Sequence, residues 1–539
     1  MDINGMPPSN VFSSWFAMPK GTTAFGIVFL MGLAALVFLP RTYRAIEHKF
    51  IRLPIYIVAL TVCLIDILVP AGYLLVPYYF DHVEPTVAVS SALLLRGQSL
   101  YPDWIAGEGV YGLMYGPVLY FINAMVLIAN KSIFATKFAG VAAAWTALLI
   151  MALNARLIVR DYAITSLAIG CVCLVFFRLM PGQFWSRPEP FLILLSALSG
   201  LALRLPIFKA GLAIGIITGL AVGLKLHGVF CCLPAAAALL ERQSLPWMSR
   251  VQLASIIFAT AVAVMIAPFL HPAVSLSQYL TNLEIAAEHG LRLDLFIQNI
   301  IFLALIMTPG IAIYFLKRPM LLHEFPLSIP VLITSGIIVA AVGAKNGAGV
   351  HHMLPLVPAV TMATLQIAQL KSQDPSALIS REAGALSFFV AYFVAFMPFV
   401  VDQSLLMGHA IARSSSEWPK IVELEKLYGV HTWAEMGTTD NANYPSTYYR
   451  VVGVLRGGPV HLEVPFLLDL RAAGLGDDAI RDLLQHCKVA EWVLPQAGNP
   501  FSQRNGYNGD ELFSDGVRHA FHNNYRLISR GTYYDVWGC

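Results

Sequence analysis

The chain has 539 residues, of which 57% are hydrophobic and only 12% charged, and its formal net charge at neutral pH is +3. A water-soluble protein could not bury so much apolar surface, so the composition indicates a membrane protein with several spans. The small net charge argues against nucleic acid as its main partner.

Apolar segments are predicted to cross the membrane at twelve places, each crossing needing about 20 residues. Several segments are short or interrupted by Pro and Gly, above all the pair between 210 and 240. The expected fold class is therefore an all-α polytopic membrane protein with about twelve membrane helices. The segments are 22–39, 52–77, 133–155, 162–180, 188–203, 210–224, 227–240, 251–270, 296–316, 327–343, 350–370 and 385–401.

Loop charges decide the topology, because cytoplasmic loops are enriched in Lys and Arg. The loop with Arg41, Arg44, Lys49 and Arg52 is predicted to be cytoplasmic. If the apolar segment 111–129 does not span, the cytoplasmic loops together carry fourteen basic and six acidic residues, and if it spans this bias is lost. We therefore expect 111–129 to lie on or re-enter the outer face, with both chain termini outside.

Two carboxylates, Asp81 and Glu84, follow the segment 52–77 at its predicted outer end. A carboxylate beside lipid is costly and usually has a polar task. Transfer of a group to a hydroxyl needs a base, and either residue suits that role. The alternative is that one of them caps the next helix, since Pro85 favours a helix start.

Basic residues lie at the predicted outer ends of two later segments. Arg187 and Glu189 begin one helix, where they would bind phosphate and sugar hydroxyls or else form an ion pair that anchors the helix end. Lys225 and His227 interrupt two short apolar halves. Lys225 would neutralise a lipid-linked phosphate or, alternatively, extend to the membrane interface.

A third polar group, Lys345 with His351 and His352, precedes a late apolar segment. We expect Lys345 or one histidine to contact phosphate. Adjacent helical side chains point about 100° apart, so at most one histidine should face a cavity, and the pair lacks the i,i+4 spacing of a helical metal site. No metal or other cofactor is predicted, although a divalent metal is not ruled out.

These short motifs resemble, in order, those of the GT-C membrane glycosyltransferases, over roughly residues 52–401. The likeness rests on an acidic residue before a Gly-x-x-x-Tyr turn at Gly97–Tyr101, the Arg-Pro-Glu run at Arg187, a Gly-rich helix before Lys225, and a basic outer turn before Leu354-Pro355. Asp81 lies 16 and Glu84 13 residues before Gly97, so the resemblance does not choose between the two acids.

The resemblance implies a transferase that uses a polyprenyl-phosphate sugar as donor and a hydroxyl of a glycan, lipid or protein as acceptor. It implies one carboxylate base, inversion at the sugar, and an active site on the periplasmic face of a bacterial inner membrane, within the cell envelope. Tyr115 is included among the expected substrate-binding residues. The alternatives are a flippase or transporter of lipid-linked sugars, or an inactive accessory subunit.

Residues 402–539, called the tail below, hold 28 of the 67 Asp, Glu, Lys and Arg residues. This shift in composition predicts a transmembrane domain over 1–401 and a soluble periplasmic domain, α/β or mixed, over 402–539. Cys487 and Cys539 are the two cysteines of the tail, and an oxidising compartment would allow them either to pair or to stay unpaired. Several tail aromatics, Tyr507 among them, suit carbohydrate stacking but are more often core residues.

Overall fold

The computed structural model describes residues 49–242, 245–317, 326–369, 381–440 and 444–539. The predicted span 22–39 and most of the first basic loop lie outside these residues. The other predicted segments all overlap helices, so the predicted fold class of a helical membrane protein is confirmed over the described ranges.

The region before the tail is a bundle of fourteen described α-helices. They are α1 Lys49–Leu75, α2 Val83–Leu95, α3 Pro117–Ala129, α4 Ile133–Val159, α5 Tyr162–Arg178, α6 Pro188–Ala202, α7 Ile207–Leu224, α8 Val229–Leu240, α9 Trp247–Ile266, α10 Leu276–Ala287, α11 Leu293–Lys317, α12 Ser328–Val342, α13 Val357–Ile367 and α14 Arg381–Val430. Short 3-10 helices at Leu226–Gly228, Ala267–Leu270 and Val350–Leu356 lie between them.

Within the described ranges, six helical stretches are apolar enough and, at 18 residues or more, long enough to cross a membrane: Arg52–Leu75, Ile133–Val159, Ile207–Leu224, Trp247–Leu270, Leu293–Tyr314 and Ala385–Val430. The other apolar helices are shorter. Helix α3, within the ambiguous segment 111–129, has 13 residues. It rises only about 20 Å, less than the roughly 30 Å of a bilayer core, but α8 and α13, within segments predicted to span, are no longer, so helix length does not separate 111–129 from them.

Local sequence explains where the helices begin. Ser132 caps α4 by accepting from the Ala135 N–H, and Asp161 caps α5 by accepting from Ala163 and Ile164. Proline occupies the first turn of α3 and of α6, where its missing N–H costs nothing.

One close approach of two glycines fixes the bundle near the site. A Cβ on Gly116 would overlap the backbone carbonyl of Gly223, so only glycine lets the start of α3 pack against the end of α7. The Gly116 N–H donates to Leu224 O at 3.0 Å across the same contact. Tyr115 and Lys225, the neighbours of these residues, are thereby placed side by side.

The tail forms a mixed four-stranded sheet with flanking helices. Its strands are β1 Ala434–Met436, β2 Glu491–Pro495, β3 Arg526–Arg530 and β4 Tyr534–Gly538, in the order β1-β2-β4-β3, with β1 parallel to β2 and the other pairs antiparallel. Its α-helices are α15 Arg450–Leu455, α16 Val464–Ala472, α17 Asp477–Gln485 and α18 Asp515–Asn524. A disulfide joins Cys487 to Cys539, with a Cα–Cα distance of 6.0 Å, so the pairing left open by the sequence does form.

Helix α14 continues through residue 402, so the tail is attached to the bundle by one unbroken helix. The tail also folds back onto the segment between α2 and α3. The Val110 N–H donates to His461 O at 2.6 Å, and the Glu463 N–H donates to Val110 O at 2.8 Å. Beside these bonds, Arg450 Nε contacts Glu463 Oε1 at 2.7 Å, and Thr86 on α2 donates to Glu463 Oε2 at 2.6 Å.

Candidate functional site

A cavity with about 600 Å³ of empty space, part of it open solvent, lies between the tail and the adjoining helix ends of the bundle. It is called the cavity below. Its bundle wall contains most of the predicted basic residues, and its tail wall comes from helix α16 and the loop of Tyr507. The lining residues that matter most are His82, Met114, Tyr115, Arg187, Lys225, His289, Lys345, His352, Asp469 and Tyr507.

The basic residues reach the cavity because each lies where a helix begins or ends. Arg187 is the residue before α6, and Lys225 is an extended residue between α7 and the next 3-10 turn. Tyr115 is fixed by the predicted Gly-x-x-x-Tyr turn, since Tyr101 Oη donates to Tyr115 O at 2.6 Å. The Tyr115 ring centroid lies 5.2 Å from Lys225 Nζ and 5.9 Å from the Arg187 guanidinium carbon.

Six of the predicted residues form one buried polar network, in which hydrogen bonds of Arg187 and of Lys225 are joined by the 3.8 Å contact between Arg187 Nε and Glu189 Oε2. Arg187 Nη1 donates to Asp81 Oδ2 at 2.9 Å, and Arg187 Nη2 lies 3.3 Å from His351 Nε2. Lys225 Nζ donates to Glu189 Oε1 at 3.0 Å and lies 2.8 Å from His352 Nε2.

The remaining predicted residues lie around this network. The His227 ring packs on His352 with centroids 5.2 Å apart. Lys345 Nζ lies at the cavity wall, 3.0 Å from Met114 Sδ and 3.4 Å from Ala286 O. Among the described residues, no carboxylate lies within ion-pair distance of this ammonium. Within the described residues, the Lys345 ammonium therefore contacts a thioether and a backbone carbonyl but no carboxylate.

On the bundle wall, the cavity is lined by the cations Arg187, Lys225 and Lys345, whereas the carboxylates that contact the first two, Asp81 and Glu189, do not line it. The tail wall contributes one carboxylate, Asp469. Arg187 is only 6% exposed, and within the described residues its Nε makes no hydrogen bond, although it lies 3.8 Å from Glu189 Oε2. A buried guanidinium N–H without a hydrogen bond is costly and suits an anionic ligand with several acceptor oxygens.

Ligand atoms of Glu189, His351 and His352 lie within 4.8 Å of one another, a spacing that would allow a metal ion. Lys225 Nζ already contacts two of the three, Glu189 and His352. The ammonium therefore takes the place of a cation, and its charge would repel a second one. Only His352 of the histidine pair lines the cavity, while both rings join the network, with centroids 4.4 Å apart.

The two candidate acids have different surroundings. Asp81 is 2% exposed and contacts His82 Nδ1 at 3.1 Å and Arg187 at 2.9 Å. Burial alone would raise the pKa of Asp81, but the charges of Arg187 and His82 hold this pKa well below its usual range. Asp81 is thus an ionised carboxylate one residue away from the cavity wall.

Glu84 lies deeper and holds the chain between α1 and α2. Its carboxylate accepts from Tyr73 Oη at 2.5 Å, from the Ser186 N–H at 3.0 Å, and from the N–H groups of Phe80 and Asp81 at 3.1 Å. Burial raises the pKa of Glu84 against these hydrogen bonds, which favour its charged form. These contacts hold the turn before α2, and the N-terminus of α2 itself has no side-chain cap hydrogen bond.

Sequence reasoning missed the cavity residues His82 and Asp469, and it gave Tyr507 only as one of several tail aromatics suited to carbohydrate stacking. His289 Nε2 lies 2.7 Å from Asp469 Oδ1, which joins the bundle wall to the tail wall. Tyr507 Oη lies 3.5 Å from His82 Nε2. These contacts join residues far apart in the sequence, so no local motif signals them.

No protein-family model and no curated protein match the sequence. Among solved structures, the chain is similar to ArnT from Cupriavidus metallidurans bound to undecaprenyl phosphate, with a TM-score of 0.53, 11% identity, and coverage of 89% of this chain and 97% of that chain. ArnT in the apo state gives a TM-score of 0.51 at 10% identity with the same coverage. At this identity the likeness shows a shared fold, and it confirms the fold-level resemblance noted in the sequence.

Proposed function

We propose that this integral membrane protein is a glycosyltransferase that moves a sugar from a polyprenyl-phosphate donor to an acceptor hydroxyl. One observation carries the proposal: three cations, Arg187, Lys225 and Lys345, line one cavity. The fold supports it, because the similar ArnT structure was solved with undecaprenyl phosphate bound.

The donor phosphate would lie among these three cations. Arg187 offers its Nε, which makes no hydrogen bond within the described residues, and a guanidinium matches phosphate oxygens as a two-pronged donor. Lys345 would exchange weak contacts with a thioether and a carbonyl for a charge-assisted bond, at little cost. Asp81 and Glu189 hold Arg187 and Lys225 in place from behind.

Transfer needs a leaving phosphate and a base for the acceptor proton. The cations stabilise the phosphate as its bond to the sugar breaks, so no acid is required to protonate it. Asp81 is the carboxylate of the base machinery, because it lies beside the cavity while Glu84 is engaged behind it. A single base of this kind gives inversion at the sugar carbon.

The active site faces the periplasm of a bacterial inner membrane in this account, as the loop charges predict. The acceptor, a glycan, lipid or protein hydroxyl, enters beside the tail, whose Pro465, Leu468 and Tyr507 form the far wall of the cavity. The tail therefore shapes the acceptor side, and the bundle holds the donor.

The test is incubation of the purified protein in lipid nanodiscs with a panel of polyprenyl-phosphate sugars and an envelope lipid extract, scoring released polyprenyl phosphate. We expect release with at least one donor, and loss of release in Lys225→Met but not in Lys488→Met, a change at an exposed tail lysine paired with Asp482. Donor translocation across proteoliposomes without any release would instead support the flippase alternative.

A further inference from the structure

We propose that His82, rather than Asp81 itself, takes the proton from the acceptor hydroxyl, with Asp81 orienting the imidazole. This inference rests on the proposed function and assigns its base. His82 was not among the candidate residues of the sequence, and its position in the structure singles it out.

Access favours the imidazole over the carboxylate. His82 lines the cavity, whereas Asp81 does not and is 2% exposed. Asp81 Oδ1 contacts His82 Nδ1 at 3.1 Å, and Asp81 Oδ2 accepts from Arg187 at 2.9 Å and from the Val83 N–H at 3.2 Å. An acceptor hydroxyl within the cavity therefore meets His82 before it meets either oxygen of Asp81.

The contact with Asp81 also selects the useful tautomer. A carboxylate only accepts, so Nδ1 of His82 must carry the hydrogen of that bond, which leaves Nε2 as the proton acceptor. Nε2 is directed toward the tail wall, 3.5 Å from Tyr507 Oη. The acceptor hydroxyl would take this hydrogen-bonding position at Nε2, which requires the Tyr507 hydroxyl to move aside.

Charge explains why the carboxylate is better used for orientation. The neighbouring Arg187 guanidinium holds Asp81 in its ionised form and its pKa low, which makes it a weak base. The same negative charge stabilises the imidazolium that forms when His82 accepts a proton. The imidazole, oriented by the carboxylate, is thus a better acceptor of the hydroxyl proton than the carboxylate alone.

The transfer step forms one bond, breaks one bond and moves one proton. The acceptor oxygen forms a bond to the anomeric carbon, and the bond from that carbon to the phosphate oxygen breaks, with its electron pair leaving on the phosphate. The hydroxyl proton moves to His82 Nε2. Arg187, Lys225 and Lys345 neutralise the polyprenyl phosphate, and the imidazolium then loses its proton to water through the open cavity.

The test compares single-turnover release of polyprenyl phosphate in His82→Asn and in His486→Gln. Asparagine keeps a donor for Asp81 but has no basic nitrogen. His486 forms an exposed tail pair with Asp482 at 2.8 Å, so it is the matched control. A general base contributes roughly 10²–10⁴-fold, so we expect His82→Asn to lose at least about 100-fold in rate while the control keeps the wild-type rate.

A second variant guards against a merely structural effect. His82→Ala should regain activity when free imidazole is added, and both His82 variants should bind undecaprenyl phosphate as the wild type does. If His82→Asn stays within about tenfold of the wild-type rate, or if His289→Gln alone is inactive, His82 is not the base. If the wild-type protein releases no polyprenyl phosphate from any donor, the proposed function fails, and this inference fails with it.

Discussion

The buried contact between Arg450 and Glu463 should hold the tail on the bundle. Arg450 Nε donates to Glu463 Oε1 at 2.7 Å, and both Arg450 Nη2 and Glu463 Oε2 bond Thr86 on α2. The Glu463 side chain is 1% exposed. Arg450→Met would leave this carboxylate buried without its cation, which costs about 3–5 kcal/mol.

This cost can be measured at the amides that join the tail to the bundle. The N–H groups of Val110 and Glu463 bond across the contact, so they exchange with solvent when the tail undocks. A loss of about 3 kcal/mol corresponds to at least about 100-fold faster exchange, since each 1.4 kcal/mol is tenfold. Hydrogen–deuterium exchange of the peptides that contain these amides is the assay.

Arg456→Met is the matched control on the same helical segment. Arg456 lies 3.9 Å from Glu425, and both side chains are about half exposed. An exposed pair of this kind contributes at most about 1 kcal/mol, so exchange should quicken no more than about fivefold. Equal exchange in Arg450→Met and Arg456→Met would refute the argument that this buried pair docks the tail.

The other predictions concern the site and the tail. Asp81→Asn should abolish transfer but keep donor binding. Glu84→Gln should keep transfer but lower thermal stability. If turnover assays show transfer in Asp81→Asn and none in Glu84→Gln, Glu84 is the essential acid. Lys345→Met should raise the donor KM by about tenfold or more, because a hydrogen bond to a charged group contributes about 1.5–3 kcal/mol, and an unchanged KM would remove Lys345 from the phosphate site. Serine at both Cys487 and Cys539 should destabilise the tail by about 4 kcal/mol, given their separation of 52 residues, and an unchanged melting temperature in thermal unfolding would contradict this. A cysteine engineered into the tail should react with a membrane-impermeant reagent on intact cells, and labelling only after lysis would overturn the topology.

The helices were predictable because a bilayer imposes a length that can be read locally. The segment 133–155 became Ile133–Val159, and 210–224 became Ile207–Leu224. Each boundary follows from a cap or from an interruption such as Lys225. The first predicted span, 22–39, falls outside the described residues.

The basic residues of the cavity were also predictable one by one. A charge next to an apolar segment is costly, so Arg187, Lys225 and Lys345 each attract attention in the sequence. Their convergence is a matter of packing: Lys225 meets His352 across 127 residues. No local pattern encodes such a contact.

The sequence indicated stacking aromatics in the tail, but it could not predict which tail residues reach the cavity. Thr86 and Glu463, which form a hydrogen bond between bundle and tail, are 377 residues apart in the sequence. His82 is a single histidine between two acids, Asp81 and Glu84, which attract more attention in the sequence. Its significance comes from the Asp81 contact and from the approach of Tyr507, both of which depend on how the tail docks.

The central claim is that the cavity holds the phosphate of a polyprenyl-linked donor. A structure of the protein solved with undecaprenyl phosphate tests this claim most directly. We predict phosphate density within hydrogen-bonding distance of Arg187 and Lys225, with Lys345 turned toward it from Met114. A phosphate bound elsewhere on the bundle, with Arg187 and Lys225 still contacting only Asp81, Glu189 and the histidines, would contradict the account.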